Sequence, residues 1–255
     1  MRPLNAPIRE WTNRKVWLVG ASSGIGLALA KALHAEGATV VVSARRDEPL
    51  QAFVRDHPGA HAVALDVTNT RSVVQATQRI AQEVGLDVVV YCAGHYKPER
   101  AFDAHLESWL EHQDINYQGA LRVISQVVRR LQPGAHISLM ASVAGYRGLP
   151  LCLAYSPTKA ALNSLADVMY LDLGPRGIGV SIINPGFVAT PLTAQNEFEM
   201  PALQTPEQAA RAILRGWAKG EFEIHFPRRF TRVLKFLRLL PDRWYFWLMH
   251  RASGL

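Results

Sequence analysis

Short apolar runs alternate along this chain with stretches whose apolar residues recur every three or four positions. Val16-Trp17-Leu18-Val19 is the first run, and Gly20 ends it. Ile25, Leu29 and Leu33 follow at helical spacing and stop at Gly37, a glycine suited to a helix C-terminus. Thr39 to Ser43 is a second run, rich in β-branched residues, and a polar connection leads from it to a third at Ala62 to Leu65. The spacing then predicts a helix from about Thr70 to Val84, capped by Thr68 or Asn69, and a fourth strand over Leu86 to Tyr91. Helices at about Leu106–Leu131 and Ala154–Leu173 flank a strand at His136–Met140, with further strands at Val180–Asn184 and Phe222–Phe226.

Strands that are apolar on both faces and alternate with helices predict a mainly parallel sheet covered on both sides. Nothing resembling a linker, a repeat or a low-complexity stretch interrupts the pattern. The expectation is an α/β fold with one doubly wound domain over residues 1–227 and a helical segment, 228–255, appended to it.

Composition adds little to this except at the end of the chain. Apolar residues make up 49%, enough for a sizeable core, and no unbroken apolar run reaches membrane length. Met1 to Lys15 lacks the pattern of a secretory signal. Cys92 and Cys152 share no metal spacing, and the nine histidines show none either, so a metal is not expected and a reducing, cytoplasmic setting fits. The net charge is +7, and residues 228–255 carry seven Lys or Arg against the single acid Asp242. A basic tail of this kind can face an anionic lipid surface, an acidic partner or nucleic acid, although nothing here suggests base readout.

The first strand runs into Gly20-Ala21-Ser22-Ser23-Gly24-Ile25-Gly26 and then a helix. Glycines at such a junction permit a tight turn, close approach of backbone to a pyrophosphate and close packing of helix on strand. The helix N-terminus supplies amide donors and the positive end of a dipole. A glycine-rich turn without a ligand would look the same in isolation, but the strand–turn–helix context favours a Rossmann-type dinucleotide site.

The spacing G-x-x-x-G-x-G resembles that of the compact short-chain dehydrogenase/reductase family, and further landmarks agree. Tyr155-Ser156-Pro157-Thr158-Lys159 is similar to the family's Tyr-x-x-x-Lys. Ser142 stands thirteen residues before Tyr155, as the family's catalytic serine does. Asn116 sits where the family carries its fourth catalytic residue, and Pro185-Gly186-Phe187-Val188-Ala189-Thr190 resembles the nicotinamide-side loop. The resemblance spans roughly Lys15 to Pro191. One departure is Tyr91-Cys92-Ala93-Gly94, where the family usually has Asn-Asn-Ala-Gly. Ala93 and Gly94 keep the close backbone approach, whereas the amides that brace this place in the family are missing.

The resemblance implies that Tyr155 donates a proton to a carbonyl oxygen as hydride reaches carbon, while Ser142 holds that oxygen. It also implies that Lys159 binds the nicotinamide ribose and that Asn116 supports a proton-relaying water. Tyr155 and Lys159, four apart on a predicted helix, share a face. A free tyrosine has a pKa of roughly 10, and a neighbouring ammonium is expected to lower it. Asp66, which ends the third strand, resembles the family's adenine-edge contact, with Val67 beside it. At the end of the second strand Ala44 replaces the acid that selects NAD, and Arg45 follows. An uncharged residue plus a guanidinium suits a 2′-phosphate, so NADP(H) is expected over NAD(H).

Beyond Phe226 two helices are expected, broken at Pro241. Arg228, Arg232, Lys235 and Arg238 would form a cationic face of the first, opposite Phe230, Val233, Leu234, Leu237 and Leu240. The second, Trp244 to Met249, reads as apolar all round. Such a segment suits the surface of an anionic membrane, a lid over the substrate or a subunit contact. Leu192, Phe198, Met200 and Leu203 make the 191–205 loop apolar and point to a hydrophobic small-molecule substrate. The resemblance further implies a homodimer or homotetramer. The rival reading is a non-catalytic dinucleotide-binding or membrane-associated scaffold, against which the intact serine, tyrosine, lysine and asparagine argue.

Overall fold

The computed structural model describes residues 2–103 and 105–253, with the backbone alone for Ala252 and Ser253. Seven parallel strands form one sheet in the order β3-β2-β1-β4-β5-β6-β7. They are β1 (Lys15–Val19), β2 (Thr39–Ser43), β3 (His61–Ala62), β4 (Val88–Tyr91), β5 (His136–Met140), β6 (Gly179–Pro185) and β7 (Glu223–Phe226). The order reverses direction between β1 and β4, and open α/β sheets bind ligands at that switch point.

Helices cover both faces, which is why the inner strands are apolar on both. On one side α3 (Thr70–Glu83), α5 (Gly119–Val127) and α6 (Tyr155–Leu173) close a core around Trp17, Val89, Tyr91 and Leu139. On the other α1 (Gly24–Ala35), α2 (Asp47–Asp56) and α7 (Pro206–Lys219) close a second core around Leu18, Val40, Val90 and Ile183. The doubly wound Rossmann-type fold expected from the alternation is therefore present. The segment before β1 also packs onto the sheet. Asn5 exchanges hydrogen bonds with the backbone of Val180, and Trp11 meets Trp217 with ring centroids 5.3 Å apart.

Several elements differ from expectation. The polar connection after Ser43 is the helix α2, whose only buried side chains are Leu50 and Phe53. Helix α7 has no counterpart in the apolar pattern, but Thr205 and Gln208 form a capping box around Pro206 at its start. The expected helix 106–131 is three pieces: α4 (Leu106–His112), a π-helical stretch at Gln113–Gln118, and α5. The third strand pairs only at His61–Ala62, and single backbone bonds from Val63 and Leu65 continue its line.

The C-terminal segment is helical, as α8 (Arg228–Arg238) and α9 (Asp242–Ser253). Its faces are not those expected. Lys235 does not join an outer cationic face; its ammonium turns inward to Glu223 of β7 at 2.5 Å. Val233 is exposed rather than packed, as are Phe236 and Leu239. In α9 Tyr245 is buried while Trp244, Phe246 and Trp247 are not, so that helix is sided rather than uniform.

Candidate active site

A cavity of about 740 Å³ lies over the carboxyl ends of the central strands. That is within the usual size of a small-molecule or cofactor site. Its lining joins parts of the chain far apart in sequence: the loop Gly20–Gly26, Arg45, Asp66 and Val67, Ala93 and Gly94, then Ser142, Tyr155, Lys159, and Pro185 to Thr190. Of the catalytic and cofactor-binding residues expected from the sequence, all line this cavity except Asn116.

The loop after β1 is shaped by its glycines. Gly20 has φ +93°, and a Cβ there would stand 2.4 Å from the Ala93 nitrogen. A Cβ on Gly26 would stand 2.2 Å from the Gly20 carbonyl oxygen, so a side chain would push α1 off the strand end. These two positions hold open a backbone cradle at the start of α1, and amide groups at a helix start suit phosphate. The residues present thus fit a dinucleotide: a glycine cradle, a carboxylate at Asp66, and an exposed guanidinium at Arg45 that makes no ion pair among the described residues. Asp66 is half-buried and shaped by Thr68, whose backbone N–H and hydroxyl donate to it at 2.9 and 2.8 Å.

The catalytic candidates converge. Ser142 begins a short turn after β5, its Oγ accepting from the Ala144 N–H at 3.2 Å, and it hydrogen-bonds the Tyr155 hydroxyl. Tyr155 opens α6, and one turn on Lys159 is buried, its Nζ donating to the Met140 carbonyl at 2.8 Å and standing 5.4 Å from the Tyr155 ring centre. The electrostatics differ from expectation. Burial raises the Tyr155 phenol above its ordinary value, and the Ser142 hydrogen bond only partly opposes this. Burial also lowers the Lys159 ammonium to about 8. A protonated phenol is thus the resting form in this cleft, suited to giving a proton.

Asn116 is fully buried and its side chain is spent on protein partners. Its Oδ1 accepts from the His95 N–H at 2.6 Å, and its Nδ2 donates to the His95 carbonyl at 2.9 Å and to Thr158 Oγ1 at 3.0 Å. The side chain therefore ties the Gly94–His95 turn to α6 and has no amide hydrogen left for a relay water. Asn116 lies within the π-helical stretch, a distortion found often at functional sites. The departure at Tyr91 is also explained: its hydroxyl, fully buried, donates to the Ile115 carbonyl at 2.5 Å and braces that stretch. Local bracing is supplied by a phenol where an amide was missing.

Sequence reasoning passed over Tyr96, His95, Met140 and Thr193. Tyr96 lies edge-on to Tyr155 with ring centres 5.0 Å apart, and its hydroxyl donates to Asn196 at 3.1 Å. Position alone, two residues past Gly94, was its signal. Of the apolar loop residues Leu192 lines the cavity, whereas Phe198 and Leu203 are partly exposed and Phe198 packs on Phe187. Among the described residues no group of His, Cys, Asp or Glu could hold a metal ion.

With this geometry in view, residues 14–200 match the family described as short chain dehydrogenase. This chain belongs to that family. A short-chain dehydrogenase from Burkholderia cenocepacia, solved in complex with NADP, superimposes with a TM-score of 0.77 at 25% identity, covering 85% of this chain and 96% of that one. A dehydrogenase/reductase from Sinorhizobium meliloti gives 0.75 at 27% identity over 88% and 95%. An uncharacterised oxidoreductase of Myxococcus xanthus is 33% identical over 241 residues, covering 91% of this chain and 95% of its own. The chain is accordingly an oxidoreductase of the short-chain dehydrogenase family, which binds a nicotinamide dinucleotide and acts on small-molecule substrates.

Proposed function

We propose that this protein is an NADP(H)-dependent oxidoreductase that interconverts a carbonyl and an alcohol, with a hydrophobic, lipid-like substrate and Tyr155 as general acid and base. The observation that carries the reading is the meeting of Ser142, Tyr155 and Lys159 in one cleft with the glycine cradle and Arg45. The dinucleotide, when bound, supplies or accepts a hydride. Gly20, Ser22, Ser23, Gly24, Ile25 and Gly26 would hold its phosphates, Arg45 a 2′-phosphate, and Asp66 and Val67 the adenine. Ala93, Gly94, Pro185, Gly186, Val188 and Thr190 would flank the nicotinamide side, with Lys159 on its ribose.

In the reducing direction the Tyr155 hydroxyl gives its proton to the substrate oxygen, and the Ser142 hydroxyl holds that oxygen in line. The raised phenol favours the protonated donor. Lys159 keeps a positive charge beside the phenolate that results. Asn116 acts as a positioning residue through His95 and Thr158. The ring of Tyr96 and the side chain of Leu192 support an apolar substrate.

We assign residues 1–227 to the catalytic domain and 228–255 to an appended segment, in a cytoplasmic protein. Exposed Leu106, Trp109, Leu110, Leu121, Val168 and Leu171 on α4, α5 and α6 support pairing with a second copy, as a homodimer or homotetramer. The test is oxidation of NADPH and NADH, side by side, over ketones and aldehydes of increasing chain length. NADPH turnover that grows with chain length and vanishes in Tyr155→Phe, with dinucleotide binding retained, supports the reading. Undiminished turnover in Tyr155→Phe overturns it.

A further inference from the structure

Helices α8 and α9 present an outer surface of unusual chemistry. Val233 and Phe236 of α8, Leu239 just beyond it, and Trp244, Phe246 and Trp247 of α9 are large apolar side chains exposed by 53 to 78%. Residues 229, 232, 233 and 236 share one face of α8 by their three- and four-residue spacing, and Leu239 follows at its C-terminal end. Arginines are interleaved among the apolar groups: Arg229 and Arg232 on α8, Arg243 and Arg251 on α9. Arg229, Arg232 and Arg243 make no ion pair among the described residues, and Arg251 lies 5.7 Å from the Trp247 ring centre.

The inner sides of the same helices are firmly attached, so the surface is presented by docked helices. Lys235 bonds Glu223, which also accepts from Tyr146 at 2.5 Å and from Asn184 at 3.0 Å. Phe230 packs on Phe187 with ring centres 5.9 Å apart. Arg147 pairs with Asp242 and lies 3.8 Å from the ring centre of Tyr245, whose hydroxyl donates to the Gly148 carbonyl at 2.6 Å.

We propose that the outer face of α8 and α9 docks on an anionic lipid bilayer. Exposed Trp and Phe side chains suit the boundary between headgroups and acyl chains, and interleaved arginines suit anionic headgroups. Self-association fits this face poorly. A two-fold contact would set it against its own copy, arginines against arginines. The only acid in the two helices, Asp242, is already held by Arg147. The exposed α4–α6 face has no such crowd of cations. Docking this way would place a bilayer on the outer side of the helix whose inner side packs on Phe187, next to the cleft residue Gly186.

The test is flotation of the full chain with vesicles of phosphatidylcholine alone or mixed with phosphatidylglycerol, at low and physiological salt. It needs neither substrate nor dinucleotide, so its failure is separate from that of the proposed reaction. The expected result is at least about tenfold stronger binding to the anionic vesicles at low salt, since each basic residue near such a surface contributes about one kcal/mol. Arg229→Glu with Arg232→Glu should remove the preference, and Phe236→Ser with Trp247→Ser should weaken binding to both compositions. All four positions are exposed, and unchanged thermal unfolding confirms that the variants fold. Binding to neither vesicle, or equal binding to both, overturns the proposal. So does a change in solution size in these variants without vesicle binding, which would assign the face to a second copy.

Discussion

The Nζ of Lys159 donates to the carbonyl of Met140 at 2.8 Å, pinning the catalytic helix α6 to the end of β5. The same burial that makes this bond possible lowers the ammonium to about 8 from its ordinary 10.5. Lys159 is therefore charged below about pH 8 and neutral above it. Because kcat/KM reports the free enzyme, its value for the dinucleotide should fall as pH rises through about 8. Lys159→Arg, which stays charged, should move that limb upward even if its overall rate is lower. A profile flat to the ordinary lysine value of 10.5 would show that the charge is not needed.

Arg45 stands two residues beyond Ser43, the last residue of β2, and lines the cavity with its side chain free of any acid among the described residues. If it reads the 2′-phosphate, Arg45→Ala should raise KM for NADPH by roughly tenfold or more, the worth of a charge-assisted hydrogen bond. KM for NADH should hardly move. Equal effects on both cofactors would reassign Arg45 to general phosphate attraction.

What was legible in the chain, and what was not, follows from how far apart the deciding residues lie. The strands showed because each is a local apolar run, and Ser142, Tyr155 and Lys159 showed because motif spacing is local too. Helix α2 was hidden because only Leu50 and Phe53 are buried, too few to set a period. The π-helical stretch changes backbone hydrogen bonding without changing the side-chain pattern, so no spacing reports it. The inward turn of Lys235 depends on Glu223 and Tyr146, which approach it only in the folded sheet. The raised Tyr155 phenol reflects burial by the assembled cleft, which charge counting along one helix could not include.

Asn116 joins the His95 backbone to Thr158 of α6. Asn116→Ala would leave the His95 N–H and carbonyl without these partners in a half-buried place. The loss should be about 1–3 kcal/mol of stability, as for other orphaned buried polar groups. As a positioning residue it should lower kcat and thermal stability together, read by parallel turnover and unfolding measurements. A large fall in kcat with unchanged unfolding would instead give Asn116 a direct part in proton transfer.

His136, at the start of β5, is buried with Nε2 at 3.0 Å from Ser181 Oγ. Burial lowers its imidazole to about 3 from an ordinary 6.5, so it stays neutral in the folded protein at any working pH. The unfolded chain takes up a proton at His136 below 6.5 while the folded chain does not until about 3. Stability must therefore fall as pH drops through that window, by at most about 1.4 kcal/mol per pH unit from this one group. Urea unfolding at neutral and mildly acidic pH should show the loss. His136→Gln, which cannot titrate, should lower stability at neutral pH but flatten the dependence on acid. An equally steep acid loss in the variant would assign the effect to other groups.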